Sequence, residues 1–116
     1  MPHQPPLVGA SPVLPVVDLR RAMEHDATLG FRVHQYDAGY GFASWNGLEL
    51  HLQVFSGHPD PGVVVFLHVA DADAVAQAWS AVPGTTSPTQ QPWGVREGAH
   101  VDPDGNLLRF GVTDTV

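Results

Sequence analysis

The chain has 116 residues, with five Arg, no Lys, twelve Asp plus Glu, a net charge of −7 and no cysteine. That length suits one compact domain, and without thiols neither a disulfide framework nor a thiolate zinc site can form. The acidic balance argues against nucleic acid or an anionic membrane as partner and favours a cationic ligand.

Residues 1–10 are rich in proline and are expected to form a flexible tail ahead of a domain spanning 11–116. MPHQPPLVG lacks the basic start and apolar core of a signal peptide, and no apolar run approaches the ~20 residues of a membrane span, so a cytoplasmic location is expected. SPVLPVVDL (11–19) reads as a strand whose prolines suit a sheet edge. Asp18 then caps a helix with Leu19, Ala22, Met23 and Ala27 on one face, which Gly30 stops. FRVHQY, YGFASW and LELHLQVF follow as strands separated by DAG and NG turns. After the loop SGHPDPG (56–62) the pattern restarts with the strand VVVFLHV. A helix follows in which Ala72, Val75, Ala76 and Trp79 share a face. GTTSPTQQPWG reads as a polar loop, and VREGAHV leads into the hairpin VDPDGNLLRF.

The restart is an internal repeat. SPVLPVVD (11–18) superposes on VVFLHVAD (64–71), and NGLELHLQ (46–53) superposes on DGNLLRFG (104–111). Each half reads as βαβββ, giving modules of about 11–55 and 63–112 in an α+β fold.

PVLPVVDL near the start, and above all QPWGVREGAHVDPDGNLLRFG near the end, resemble the glyoxalase, bleomycin resistance and extradiol dioxygenase superfamily, the vicinal oxygen chelate fold. PWG followed by RE and DPDGNLLRF is most similar to its bleomycin resistance protein branch. The resemblance implies two modules with sheets curled around a cup, and a homodimer whose clefts are built from both chains. It also implies stoichiometric sequestration of a bleomycin-type antibiotic without turnover. The alternative within the same fold is a metal-dependent lyase or dioxygenase with an atypical metal site.

Carried through the repeat, the superfamily's metal-ligand positions fall on Ser11, His51, Val64 and Arg109. Of these only His51 is a good ligand: valine offers no lone pair, and a guanidinium repels a divalent cation. No metal and no other cofactor is therefore expected. Strand alternation puts Glu49, His51 and Gln53 on the cup face of one module, and Val64, Phe66 and His68 on that of the other. Glu49, His51 and His68 form a conceivable alternative metal set, and Glu97 with His51 or His100 a conceivable acid and base pair. Arg109 is expected to pair with Glu49 or Glu97. Trp93, in a loop flanked by Pro and Gly, reads as a stacking platform for a planar cationic ligand. Tyr36 and Tyr40 are candidates for a second platform, while Trp45 and Phe42 are expected to pack within the sheet, and His25 on the helix surface. The candidate ligand-binding set is Trp93, Tyr36, Tyr40, Glu49, His51, Phe66, His68, Glu97 and Arg109.

Overall fold

The computed structural model describes residues 3–57 and 62–112; His58 and most of its loop lie outside them. The first module runs β1 (Val13–Val16), α1 (Leu19–Leu29), β2 (Arg32–Asp37), β3 (Tyr40–Trp45) and β4 (Leu48–Val54). Asp18 starts α1 from extended backbone, its carboxylate accepting the Arg21 N–H. Gly30 ends the helix at φ 113°, a left-handed conformation that costs glycine little. The buried stripe of α1 is Leu19, Ala22, Asp26 and Leu29, and Ala27, expected inside, is exposed. Helical spacing brings 19, 22, 26 and 29 to one side, so an aspartate occupies a place that an apolar count assigns to its neighbour.

The second module runs β5 (Val64–His68), α2 (Ala72–Ala78), β6 (Thr85–Gln90), β7 (Arg96–Val101) and β8 (Leu107–Val112). Strand β6 corrects the expected polar loop. Thr85, Thr86 and Thr89 favour extended backbone, and Pro88 falls within a register shift between Thr86 and Thr89, where a missing ladder donor is tolerated.

Each module closes one four-stranded sheet, in the orders β1-β4-β3-β2 and β5-β8-β7-β6. The first strand of each runs parallel to the last, and the remaining pairs are antiparallel. This is the expected α+β architecture of two βαβββ modules. The register sets Val13 beside His51 and Phe66 beside Arg109, one pleat along from Ser11 and Val64.

The helix-facing sides of both sheets share one core, in which Leu14, Val16, Leu50 and Leu52 of the first module join Leu67, Leu108 and Phe110 of the second. Trp79, just past α2, is 1 % exposed and packs against Phe31, Trp45 and Phe110. Its indole N–H donates to the Leu29 carbonyl of the other module at 2.9 Å. The β7–β8 turn ties the same seam. The fully buried Asn106 carboxamide accepts the Val63 N–H and donates to the Pro15 carbonyl, each at 2.9 Å, and to Asp102 at 3.0 Å. Gly62 permits this approach, since a Cβ there would stand 2.5 Å from the Asn106 side-chain oxygen.

Replacing Asn106 by Ala strands a buried donor and a buried acceptor at the seam and is expected to cost about 2–4 kcal/mol of stability. Asn106→Asp, which turns a carboxylate oxygen toward the Pro15 carbonyl, is expected to cost at least as much at neutral pH. Urea denaturation of the two variants beside the parent chain checks both.

Candidate functional site

Alternation along each strand leaves the opposite sides of the two sheets for chemistry. In the first module the register aligns Phe42 with His51, Ser44 with Glu49, and His34 with Phe42 on that outer face. Tyr40, which begins β3, reaches the His51 Nδ1 with its hydroxyl at 2.7 Å, and His51 Nε2 lies 3.0 Å from Glu49 Oε1. In the neutral tautomer that satisfies both contacts, Nε2–H donates to Glu49 and the Tyr40 hydroxyl donates to Nδ1. The Phe42 ring stands edge-on to His51 at 4.9 Å and to Tyr40 at 5.7 Å, and stacks on His34 at 6.1 Å. Phe42 therefore belongs to the outer face and not to the core, whereas Trp45 packs inside as expected. The signal for Phe42 was its position opposite His51 across an antiparallel pair.

In the second module the outer face is built on Phe66. Gly111 lets its ring lie close to the sheet, since a Cβ at 111 would meet Phe66 at 2.9 Å. The Arg109 guanidinium stands 5.1 Å from the centre of that ring. It donates two parallel hydrogen bonds to Glu97, at 2.8 and 3.0 Å. These bonds, with a smaller contribution from the Trp93 indole, hold the Glu97 carboxyl below the usual carboxylate range. Of the two partners expected for Arg109, Glu97 is the one it has. A carboxylate so held is a weak general base. Trp93 sits in the loop between β6 and β7, closed by the Gln91 N–H to the Val95 carbonyl and the Gly94 N–H to the Gln91 carbonyl. It is 61 % exposed, so core packing does not account for it.

The site residues thus fall into two groups: Tyr40, Glu49 and His51 on one sheet, and Phe66, His68, Trp93, Glu97 and Arg109 on the other. Phe66 and His68 lie in ring contact at 5.0 Å. Tyr36, in β2, is 72 % exposed. The conceivable metal set of Glu49, His51 and His68 divides between the two sheets, and among the described residues no cluster of three His, Asp or Glu side chains stands ready for a metal ion. His100 cannot act with Glu97. Three residues apart on β7, they point to opposite faces, and His100 is buried on the helix side. There it meets His25, which is folded into the seam with its side chain 11 % exposed instead of lying on the helix surface.

Among solved structures, the chain resembles a bleomycin resistance determinant encoded on transposon Tn5, with 26 % identity, 94 % of this chain and all of the other covered, and a TM-score of 0.83. A bleomycin-binding protein complexed with bleomycin matches at 25 % identity over 93 % of this chain and all of the other, with a TM-score of 0.84. A glyoxalase-related enzyme from Clostridium phytofermentans shares the fold at 21 % identity, 92 % and 95 % coverage and a TM-score of 0.79. No family model and no curated protein matches the chain.

Trp93→Ala is expected to change stability by no more than about 0.5 kcal/mol, as for an exposed position, whereas Trp79→Ala should cost about 3–5 kcal/mol. Denaturation curves check the pair, and acrylamide should quench far less of the tryptophan fluorescence once Trp93 is replaced.

Proposed function

We propose, from the chain's place in the vicinal oxygen chelate superfamily beside the bleomycin resistance and bleomycin-binding proteins, that it is a cytoplasmic ligand-binding protein. It acts by sequestering a planar, cationic antibiotic of the bleomycin type. The observation that carries this reading is Trp93, an exposed ring on a closed loop whose indole reaches Glu97, the carboxylate that already meets the charge of Arg109. A ring so placed offers its face to another planar group, and the net charge of −7 favours a cationic one. Arg109 occupying a position where metal-dependent members carry a ligand further supports binding over turnover.

The chain acts as a homodimer in this reading. Each outer face alone is open, and the exposed Leu7, Val8, Val64 and Val101 offer apolar surface to a second copy. Trp93, Tyr36, Tyr40, Glu49, His51, Phe66, His68, Glu97 and Arg109 would then line clefts with walls from both chains. A second reading, an enzyme of the same fold, draws on the Tyr40–His51–Glu49 chain of hydrogen bonds, an arrangement able to pass a proton.

Calorimetric titration with bleomycin is expected to show saturable binding without product formation, weakened by about 1–3 kcal/mol in Trp93→Ala. Sedimentation should find a dimer at micromolar concentration. Absence of binding to bleomycin and to other planar cations, or turnover with loaded metal, overturns the reading.

A further inference from the structure

The seam between the modules contains a chain of titratable groups on the side of the sheets opposite the candidate site. His25, from α1, and His100, from β7, lie 75 positions apart in sequence and stack with ring centres 4.9 Å apart. Their Nε2 atoms are 2.9 Å apart. His25 Nδ1 lies 3.1 Å from Asp26 Oδ1, and His100 Nδ1 lies 2.8 Å from the Thr85 hydroxyl on β6. His100 has no exposed surface, and Asp26 is 5 % exposed. The Trp79 ring closes the far side of His100, edge-on at 5.6 Å.

A contact between two ring nitrogens holds one proton and only one. One ring donates and the other must present a bare lone pair. The pair can be neutral, or can carry one added proton at an outer nitrogen facing Thr85 or Asp26, without losing this bond. When both rings are imidazolium, N–H faces N–H, and two positive charges meet where His100 has no access to water and His25 little. The hydrogen bond that joins the modules then becomes a repulsion.

We propose that His25 and His100 form a proton-counting latch between the modules, closed while the pair carries at most one positive charge and opened by the second. The neighbouring charges set the range in which it works. Burial, and secondarily His25, push His100 down to about 4 from its ordinary 6.5. The unfolded chain therefore takes up this proton at a higher pH than the folded one, and the seam loses stability as the pH falls from 6.5 toward 4. Asp26 and Asp102, both raised by burial, act in the opposite sense, since the folded chain protonates them more readily than the unfolded one. Asp26 also feels the charges of Asp102 and Asp104, and Arg21 meets Asp104 at 2.9 Å. The acidic side of the seam thus tolerates the first added proton, and the two facing histidines oppose the second. Because the seam fixes how the two outer faces stand to one another, opening it alters any cleft that they form.

The test is nuclear magnetic resonance of the full chain with nitrogen-15 histidine and tryptophan, titrated from about pH 7.5 to about pH 3, past the point at which His100 takes up its proton. The ring nitrogens report the charge on His25 and His100, and the Trp79 indole N–H, bonded to Leu29 across the seam, reports the latch. As the second ring becomes charged, the Trp79 indole is expected to shift and to exchange with solvent roughly tenfold faster, while backbone amides of both modules keep their folded dispersion. His100→Gln, which retains a donor toward His25 but cannot be charged, should remove the transition. The proposal is overturned if both rings become charged with the Trp79 signal unmoved, if that signal changes only together with global unfolding, or if the transition persists in His100→Gln.

Discussion

One side chain ties the two halves of this protein together at their junction: Asn106, buried beneath the β7–β8 turn. The Asn106 carboxamide serves the last residue before β5, the edge strand β1 and its own turn at once. Only an amide can accept from the Val63 N–H with one end and donate to the Pro15 and Asp102 oxygens with the other. The turn around it is built to hold that orientation. Asp102 accepts the backbone N–H groups of Asp104 and Asn106, and Asp104 reaches back to the Val17 N–H and to Arg21. The DPDGN segment that carries much of the family resemblance therefore acts as a structural knot, and the candidate site residues lie on the strands that it aligns.

With the modules fixed through their helix sides, the outer faces are released from any duty in the core. This division explains why an arginine can stand in the middle of β8. Leu108 and Phe110 face the core, while the Arg109 guanidinium stands over the Phe66 ring and directs its charge to Glu97. A charge satisfied in both directions stiffens the surface around it without inviting a metal ion. The buried polar groups of the inner side, by contrast, are gathered at the seam: Asn106 and Asp104 reach the opposite module, Asp102 holds the turn, His100 meets His25 across the seam, and Asp26 is held by His25. Asp104 keeps one carboxylate oxygen buried without a partner, the single such side-chain atom among the described residues.

Much of the fold was legible in the sequence because the signals were local. Asp18 and Gly30 bracket α1 by the chemistry of helix ends, and the alternation of LELHLQV assigns both faces of β4. Strand β6 was hidden because TTSPTQ combines β-favouring threonines with a proline and polar residues that equally suit a loop, and its pairing with β7 is a tertiary fact. The two groups of the candidate site could be named from alternation, but the choice of Glu97 over Glu49 as partner of Arg109 depends on which strand lies alongside β8. His25 and Asp26 were unreadable for a related reason. A helical face that carries polar groups looks solvated until a second module is seen to cover it.

The outermost strands of the two sheets are β2 and β6, and both are irregular. β2 shifts register between Gln35 and Asp37, and β6 does so between Thr86 and Thr89, with a proline inside the shift. The other edges, β1 and β5, converge on Asn106. A neighbouring chain that tried to extend either sheet at β2 or β6 would find no straight row of backbone donors and acceptors at its rim. Growth into fibrils by strand addition at these two edges is thereby discouraged, which leaves the side chains on the sheet faces free to carry selective contacts.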